Sequence, residues 1–138
     1  MVLGRYEMSV GLLSIIDKPV AFLSVSNRIK AKDFYTGKLG LKVLYEDEFA
    51  LVLSLGVTSL RISEVKAFQP QPFTVLGWEV SDILSSARKL KSLGIDAKQY
   101  DMLDQDEWGI WCSLSTSIKI LWFEDPDGNV LSLSGTAG

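Results

Sequence analysis

The side chains that perform most enzyme chemistry are scarce in this chain. Its 138 residues include no histidine and one cysteine, Cys112. Cys112 lies between Trp111 and Ser113 with no imidazole to activate its thiol, so the sequence favours a packing role over a catalytic one. Transition metals are bound mainly by imidazole, thiolate and carboxylate groups. The sequence therefore argues against a transition-metal centre and leaves carboxylates, guanidinium groups and aromatic rings as candidates.

The densest group of carboxylates is an acidic run before Trp108. The run comprises Asp101, Asp104, Asp106 and Glu107. It lacks the turn glycine and closing bidentate glutamate of a calcium loop, so a solvated loop is favoured. A magnesium or manganese site with oxygen ligands, drawn from Glu64, Glu79 and aspartates, is the alternative. Because the chain has no phosphate-binding glycine loop or dinucleotide fingerprint, no cofactor is predicted.

Composition and charge indicate one globular domain. Hydrophobic residues make up 47% of the chain and charged residues 22%, which is typical of a folded protein. The net charge of −3 argues against a nucleic-acid partner, because phosphate binding needs a basic surface. A single cysteine can form no intrachain disulfide, and we therefore expect a protein of the reducing cytoplasm.

Residues 1–18 are predicted to be an N-terminal extension of a single domain that spans residues 19–138. The apolar stretch Val10–Ile16 is too short to span a membrane and has no signal-peptide cleavage pattern, so no membrane association is predicted. We interpret the first 18 residues as an extra strand or helix at the edge of the domain, or as including sequence upstream of a true start at Met8.

The chain contains an internal repeat, with units at about residues 19–66 and 73–134. In each unit a strand pattern precedes a helical pattern, Val20–Asn27 before Ile29–Tyr35 and Val75–Asp82 before Ile83–Leu90. The side chains of Asn27 and Asp82 are predicted to cap the helices at their N-termini, and Gly40 and Gly94 to end them. Further strands are expected at Lys42–Asp47, Phe49–Leu55, Ser59–Glu64, Ala97–Asp101, Trp111–Leu114, Ile118–Glu124 and Val130–Leu133. Helices combined with antiparallel hairpins predict an α+β domain.

Three motifs in this order resemble the vicinal oxygen chelate superfamily, which includes glyoxalases, bleomycin-resistance proteins and extradiol dioxygenases. They are FYTGKLGL at residues 34–41, GWEVSD at 77–82 and FEDPDGN at 123–129. The resemblance covers about residues 20–134. It implies two β-α-β-β-β units that form one cup-shaped mixed sheet flanked by helices, and it implies a homodimer.

The resemblance also locates the positions at which relatives hold a divalent metal. In this chain they are occupied by Val20, Arg61, Val75 and Ser132. Valine and arginine side chains offer no metal ligand, so the chain resembles an uncharacterised branch that lacks the metal ligands. No metal is predicted at these four positions.

Alternation along the strands extends the predicted cup face around those positions. The cup face comprises Val20, Phe22, Ser24, Ser59, Arg61, Ser63, Val75, Gly77, Glu79 and Ser132, and the face under the helices comprises Ala21, Leu23, Val25, Leu60, Ile62, Leu76, Trp78, Val80, Leu131 and Leu133. Arg61 and Glu79 are the only charged members of the cup face. As a site, Arg61 would bind a carboxylate or phosphate and Glu79 would accept a proton or hydrogen bond; alternatively, the two form an internal ion pair or lie at the rim.

Aromatic side chains give a second indication of ligand binding. Tyr45, Trp108, Trp111 and Trp122 lie on or beside predicted strands. The segment 104–111 (DQDEWGIW) resembles a lid-forming stretch of the same superfamily. Aromatic walls suit flat, apolar or cationic ligands, although rigid packing in the core or a dimer interface is the alternative.

Together these observations predict a metal-independent protein that binds or sequesters a small molecule. The alternative is a lyase, isomerase or dioxygenase-type enzyme of the same superfamily, either metal-free through Arg61 and Glu79 or with an oxygen-ligated ion. A third interpretation is an interaction module whose cup is filled by its own side chains.

Overall fold

The computed structural model describes residues 10–136, which form two units with the same order of strands and helices. The first unit contains strand β1 (Val20–Val25), helix α1 (Arg28–Lys32) with a π-helical continuation (Asp33–Lys38), and strands β2 (Val43–Glu46), β3 (Leu51–Ser54) and β4 (Ser59–Glu64). The second contains β5 (Thr74–Glu79), helix α2 (Ile83–Ser92), β6 (Trp111–Cys112), β7 (Lys119–Glu124) and β8 (Val130–Gly135). The predicted α+β class and the paired β-α-β-β-β units are confirmed.

The residues that cap both helices are the ones that the sequence indicated, although the first helix begins one residue earlier than predicted and both helices extend further. The Asn27 side chain accepts a hydrogen bond from the amide of Lys30 at 3.0 Å. The Asp82 carboxylate accepts a hydrogen bond from the backbone amide of Ser85, also at 3.0 Å. In both helices the capping side chain thus satisfies a backbone amide of the first turn. Gly40 follows the first helix with a φ of 80°, a left-handed conformation that suits glycine.

The strands form two four-stranded mixed sheets where the sequence predicted one. Their orders are β1-β4-β3-β2 and β5-β8-β7-β6, and within residues 10–136 no strand pairing joins them. In each sheet the first strand lies parallel to the last one, and the other neighbours are antiparallel. The expected single sheet is therefore divided by unit, and β1 and β5 are edge strands.

The inner faces of both sheets share one hydrophobic core with the helices. Leu23, Ile62 and Leu131, all from the face that was predicted to lie under the helices, are buried in the same cluster as Phe34 and Ala87. Each sheet therefore presents its other face away from this shared core, because side chains alternate along a strand.

A buried polar cluster joins the two units. The Tyr35 hydroxyl donates to the Asp125 carboxylate at 2.8 Å, and the side-chain amide of Asn129 donates to the backbone carbonyl of Ser24 at 2.9 Å. The backbone amides of Asp127 and Asn129 each donate to the other Asp125 oxygen at 2.9 Å. Burial, with the nearby Asp125 carboxylate, raises the pKa of Tyr35 well above its ordinary value.

The expected strand at Ala97–Asp101 is wrong, because this segment is irregular. One backbone hydrogen bond, from Lys98 to the carbonyl of Trp122 at 2.7 Å, connects it to β7. The side-chain amide of Gln105 takes further bonds, accepting from the Tyr100 amide at 2.7 Å and donating to the Lys98 carbonyl at 2.9 Å. A side chain thus satisfies backbone groups that a neighbouring strand would otherwise pair.

The extra strand or helix expected at Val10–Ile16 is also wrong. This stretch has neither conformation, and its large apolar side chains are exposed. A turn in which the Asp17 carboxylate accepts from the Ser14 amide at 2.8 Å follows it. The alternative start at Met8 lies outside the described residues. No helix among the described residues is both long and apolar enough to span a bilayer.

Candidate ligand-binding surfaces

The outward surface of the first sheet carries the first group of predicted site residues. We call it the first outer face; it comprises Val20, Phe22, Ser24, Tyr45, Val52, Ser59, Arg61 and Ser63. Across it, one row runs from Phe22 through Arg61 and Val52 to Tyr45, because these residues are register partners on adjacent strands. Phe22 is 72% exposed, whereas Val52 is only 2% exposed, so neighbouring side chains cover Val52.

Arg61 lies in the middle of this row. Within residues 10–136 its guanidinium makes no hydrogen bond or ion pair, and its side chain is exposed. The backbone amides of Ala50 and Phe49 lower the pKa of Asp47, and the positive charges of Arg28 and Arg61 lower it further. Arg61 is thus a cation on an apolar surface whose donors are not used by the described chain.

The outward surface of the second sheet carries the other group. This second outer face comprises Val75, Gly77, Glu79, Trp111, Ile120, Trp122, Ser132 and Ser134. Gly77, Ser132 and Trp122 form one row across β5, β8 and β7. A Cβ at Gly77 would lie 2.2 Å from the Ser132 hydroxyl oxygen, so glycine is what allows this hydroxyl its position.

Three aromatic rings form a cluster on the second outer face. The Trp111 and Trp122 ring centroids are 6.3 Å apart, and the Tyr100 ring meets Trp122 edge-on at 5.4 Å. The Lys98 ammonium lies 5.6 Å from the Tyr100 ring centre and is paired with Glu124 at 2.7 Å. This hydrogen bond with Glu124 raises the pKa of Lys98.

Tyr100 is a member of this cluster that the sequence reasoning missed. The tyrosine was visible in the sequence, but the strand expected at Ala97–Asp101 gave it no defined neighbour. A cavity of about 340 Å³ lies beside the ring and is bordered by Pro70 and Pro72 of the segment between the units. The segment that was interpreted as a strand therefore contributes a wall of a surface pocket.

Trp108 does not join the aromatic cluster. Arg88 and Lys91 of α2 lie 5.8 and 5.9 Å from its ring centre, and the ring packs against the shared core. The basic side of α2 thus attracts the negative face of the indole to the inner side of the sheet. We correct its predicted grouping with Trp111 and Trp122 accordingly.

Arg61 and Glu79 lie on different sheets and form no ion pair with each other. Likewise, Val20 and Arg61 belong to the first outer face, whereas Val75 and Ser132 belong to the second. The cavity beside Glu79 and Ser134 includes no residue of the first outer face.

The residues present at the four metal-ligand positions do not fit a metal. Val20 and Val75 have no donor atom, Arg61 carries a positive charge, and Ser132 offers a single hydroxyl. Within residues 10–136, no three side chains of the His, Cys, Asp or Glu types come close enough together to hold an ion. The polar and aromatic groups that these faces offer are the Arg61 guanidinium, the Glu79 carboxylate, serine hydroxyls and aromatic rings.

No protein-family model matches this sequence, and no curated protein sequence matches it significantly. Solved structures do match. A glyoxalase family protein from Enterococcus faecalis is similar with 27% identity and a TM-score of 0.66, over 87% of this chain and 98% of that one.

Two further solved structures show the same fold at lower identity. TnmS3, an antibiotic binding protein from Streptomyces sp. CB03234, matches with 23% identity and a TM-score of 0.65, over 89% of this chain and 98% of that one. The genomically encoded fosfomycin resistance protein FosX from Listeria monocytogenes matches with 14% identity and a TM-score of 0.68, over 88% of this chain and 93% of that one.

The fold and its repeated units define a protein of the glyoxalase, bleomycin-resistance and dioxygenase type. These structural matches support the resemblance of the sequence to the vicinal oxygen chelate superfamily.

Proposed function

We propose that this protein binds a small anionic molecule with a flat apolar body, without a metal, and acts as a binding or sequestering protein in the reducing cytoplasm. The observation that carries the proposal is Arg61, an exposed guanidinium without a partner in residues 10–136, at a position where relatives hold a metal ligand. A guanidinium can bind a carboxylate or phosphate through two parallel hydrogen bonds.

The surroundings of Arg61 support a ligand that is both charged and apolar. Phe22 and Tyr45 occupy the same row of the first outer face, on either side of Arg61 and Val52. Both rings are exposed; Phe22 is the register partner of Arg61, and Tyr45 is separated from Arg61 by Val52. A ligand with an aromatic or aliphatic body next to its anionic group would cover these rings while it satisfies the guanidinium.

The second outer face supports the flat part of the ligand. Trp111, Trp122 and Tyr100 form a continuous aromatic surface, and the nearby Lys98 and Glu124 charges already neutralise each other. Such a surface binds a planar body by stacking and offers little to a second anionic group. The two faces would thus recognise different parts of one molecule.

A second copy of the chain would bring the two faces together. Each sheet ends in an edge strand, β1 or β5, which carries exposed Val20 and Phe22 or Val75. Edge strands with exposed apolar side chains are normally covered. A homodimer would cover them by placing the first outer face of one protomer opposite the second outer face of its partner, which is also the oligomeric state that the resemblance implies.

The binding part of the proposal is tested with 1-naphthoate and its uncharged analogue 1-naphthamide as probes. We expect the carboxylate to raise the melting temperature and the amide to have no effect. Arg61→Met keeps the apolar stem and should weaken naphthoate binding by about 2 kcal/mol. Arg88→Met, the same change on the inner side, is the matched control and should leave the affinity unchanged.

Two results would contradict this function. Equal affinity for naphthoate in the wild type and in Arg61→Met would remove Arg61 from the site. Elemental analysis that finds a stoichiometric transition metal, together with turnover that depends on it, would favour the metalloenzyme alternative.

The homodimer is tested by mixing two inactive variants. If Arg61 of one protomer and Trp122 of its partner share a site, subunit exchange between Arg61→Met and Trp122→Ala should regenerate some intact sites and restore naphthoate binding. A site within one chain would show no recovery. Light scattering establishes whether the protein is a dimer, and a monomer that still binds naphthoate would contradict the shared site.

A further inference from the structure

A separate cavity lies on the inner side of the second sheet. Its volume is about 440 Å³, and it is bounded by the first turn of α2, the edge strand β6 and the loop that precedes β6. Leu84 and Leu114 supply apolar walls above the fully buried Ile83, and Asp104, Cys112 and Lys119 are among its polar lining groups. This volume is within the usual range for small-molecule sites.

This cavity faces away from the proposed ligand-binding faces. Lys119 and Cys112 are register partners at the β6–β7 edge. Lys119 shares a side of β7 with the fully buried Leu121, whereas Trp122 lies on the opposite side. The cavity therefore opens beside the shared core, on the other face of the same sheet. Trp111, on the edge strand, borders both regions.

Two opposite charges in this cavity have no partner. Within residues 10–136, neither the Asp104 carboxylate nor the half-buried Lys119 ammonium makes a hydrogen bond or ion pair, and they do not pair with each other. Asp106 differs, because its carboxylate accepts from the amides of Trp108 and Ile110 at 2.8 and 2.9 Å. Asp106 is engaged in the loop, whereas Asp104 and Lys119 are available to a ligand.

We propose that this cavity binds a zwitterion with an apolar body, the chemistry of an apolar α-amino acid. The ligand carboxylate pairs with the Lys119 ammonium, and the ligand ammonium pairs with the Asp104 carboxylate. Its side chain packs on Leu84 and Leu114. A ligand that carries both charges satisfies both groups at once, and a singly charged one leaves the other group unpaired.

Cys112 provides a local measurement of occupancy. It is the only cysteine of the chain, it is exposed, and it lines this cavity. With L-leucine as the probe at ten times its dissociation constant, alkylation of Cys112 by iodoacetamide should slow by about tenfold. L-leucinamide, which lacks the carboxylate, and N-acetyl-L-leucine, which lacks the ammonium, should give no protection at the same concentration.

Three charge variants complete the test. Asp104→Asn and Lys119→Gln should each weaken L-leucine binding by about tenfold or more, so that the same concentration slows alkylation by about twofold at most. Glu107→Gln removes a carboxylate of the same loop that does not line the cavity, and it should leave the protection unchanged. Circular dichroism shows whether each variant folds, and if one does not, the comparison of the three probes on the wild type decides.

The proposal is overturned if L-leucine does not protect Cys112, or if it protects Asp104→Asn and Lys119→Gln as well as the wild type. Protection by the amide or the N-acetyl derivative equal to that by L-leucine would also overturn it. The outcome is independent of the function proposed above, because Arg61→Met should retain full protection of Cys112 by L-leucine.

Discussion

The two sheets have the same strand order and share one core, yet their outer faces differ. The first presents an unpaired guanidinium, Arg61, with Phe22 and Tyr45 in the same row. The second presents three rings, of which Trp122 contacts both Tyr100 and Trp111, and its Lys98 ammonium is already paired with Glu124. The repeat thus supplies one scaffold twice, and the outer side chains differ between the halves. The first outer face offers a positive charge, and the second offers aromatic rings.

Packing explains why the halves are alike inside and different outside. Inner residues such as Ile62 and Leu131 are fully buried in one cluster, so their size and polarity are restricted. Residues of the outer faces have few such restrictions, because most of them contact solvent. The differences between the halves are therefore concentrated where a ligand could reach them.

The largest expected effect on stability distinguishes the two outer faces directly. Trp122→Ala removes the central ring of the aromatic cluster and should lower the free energy of unfolding by about 3 kcal/mol. Arg61→Met should change it by no more than about 0.5 kcal/mol, because the guanidinium has no partner in the described chain. Urea unfolding measures both values, and equal losses would show that the faces do not differ as we describe.

A smaller effect is expected from the polar cluster that joins the halves. Tyr35→Phe removes the hydroxyl that donates to the Asp125 carboxylate and should cost about 2 kcal/mol near neutral pH. Because both sheets share one core, the variant should still unfold in a single transition. Two separate transitions, observed by tryptophan fluorescence and circular dichroism, would contradict the shared core.

The same variant predicts a difference at alkaline pH. The pKa of Tyr35 is raised in the folded state, chiefly by burial, so folding favours the neutral phenol. Its contribution to stability is complete below the unfolded pKa of about 10 and is lost progressively as the pH rises above that value. Wild-type stability should therefore decrease more steeply above this pH than that of Tyr35→Phe, and parallel pH profiles would refute the prediction.

The smallest expected effect is a change in the pKa of Asp47, which depends on the position of the Arg61 charge. Asp47 has a lowered pKa, first because the Ala50 and Phe49 amides donate to its carboxylate, and also because of Arg28 and Arg61. Arg61→Met should raise the pKa of Asp47, as measured by NMR titration. Glu79→Gln, on the other sheet, is the control and should leave it unchanged; an equal shift in both variants would contradict the separation of the faces.

Local features of the fold were predictable because their signals lie within a few residues. Asn27 and Asp82 are side-chain acceptors at helix starts, and Gly40 and Gly94 accept the left-handed conformation that ends a helix. The strand Ser59–Glu64 was predicted at its observed bounds, because its alternating pattern is complete. Each of these predictions needed only short-range geometry.

Relations between distant segments were not predictable in the same way. Alternation placed Arg61 and Glu79 on outward faces but contained no information on whether their sheets join, and they do not. The Gln105 side chain makes the hydrogen bonds to the backbone of Lys98 and Tyr100 that a neighbouring strand would otherwise make. A glutamine in the sequence does not indicate which backbone groups its side chain will bind. Arg88 and Lys91 hold Trp108 on the inner side through contacts that depend on the packing of α2.

The buried polar cluster that joins the two units gives the FEDPDGN signature a structural role. Two residues of the FEDPDGN signature serve there as a joint between the halves of the molecule, and Asp125 and Asn129 are almost completely buried. A search that selects proteins by this signature therefore selects for a way of assembling two half-domains.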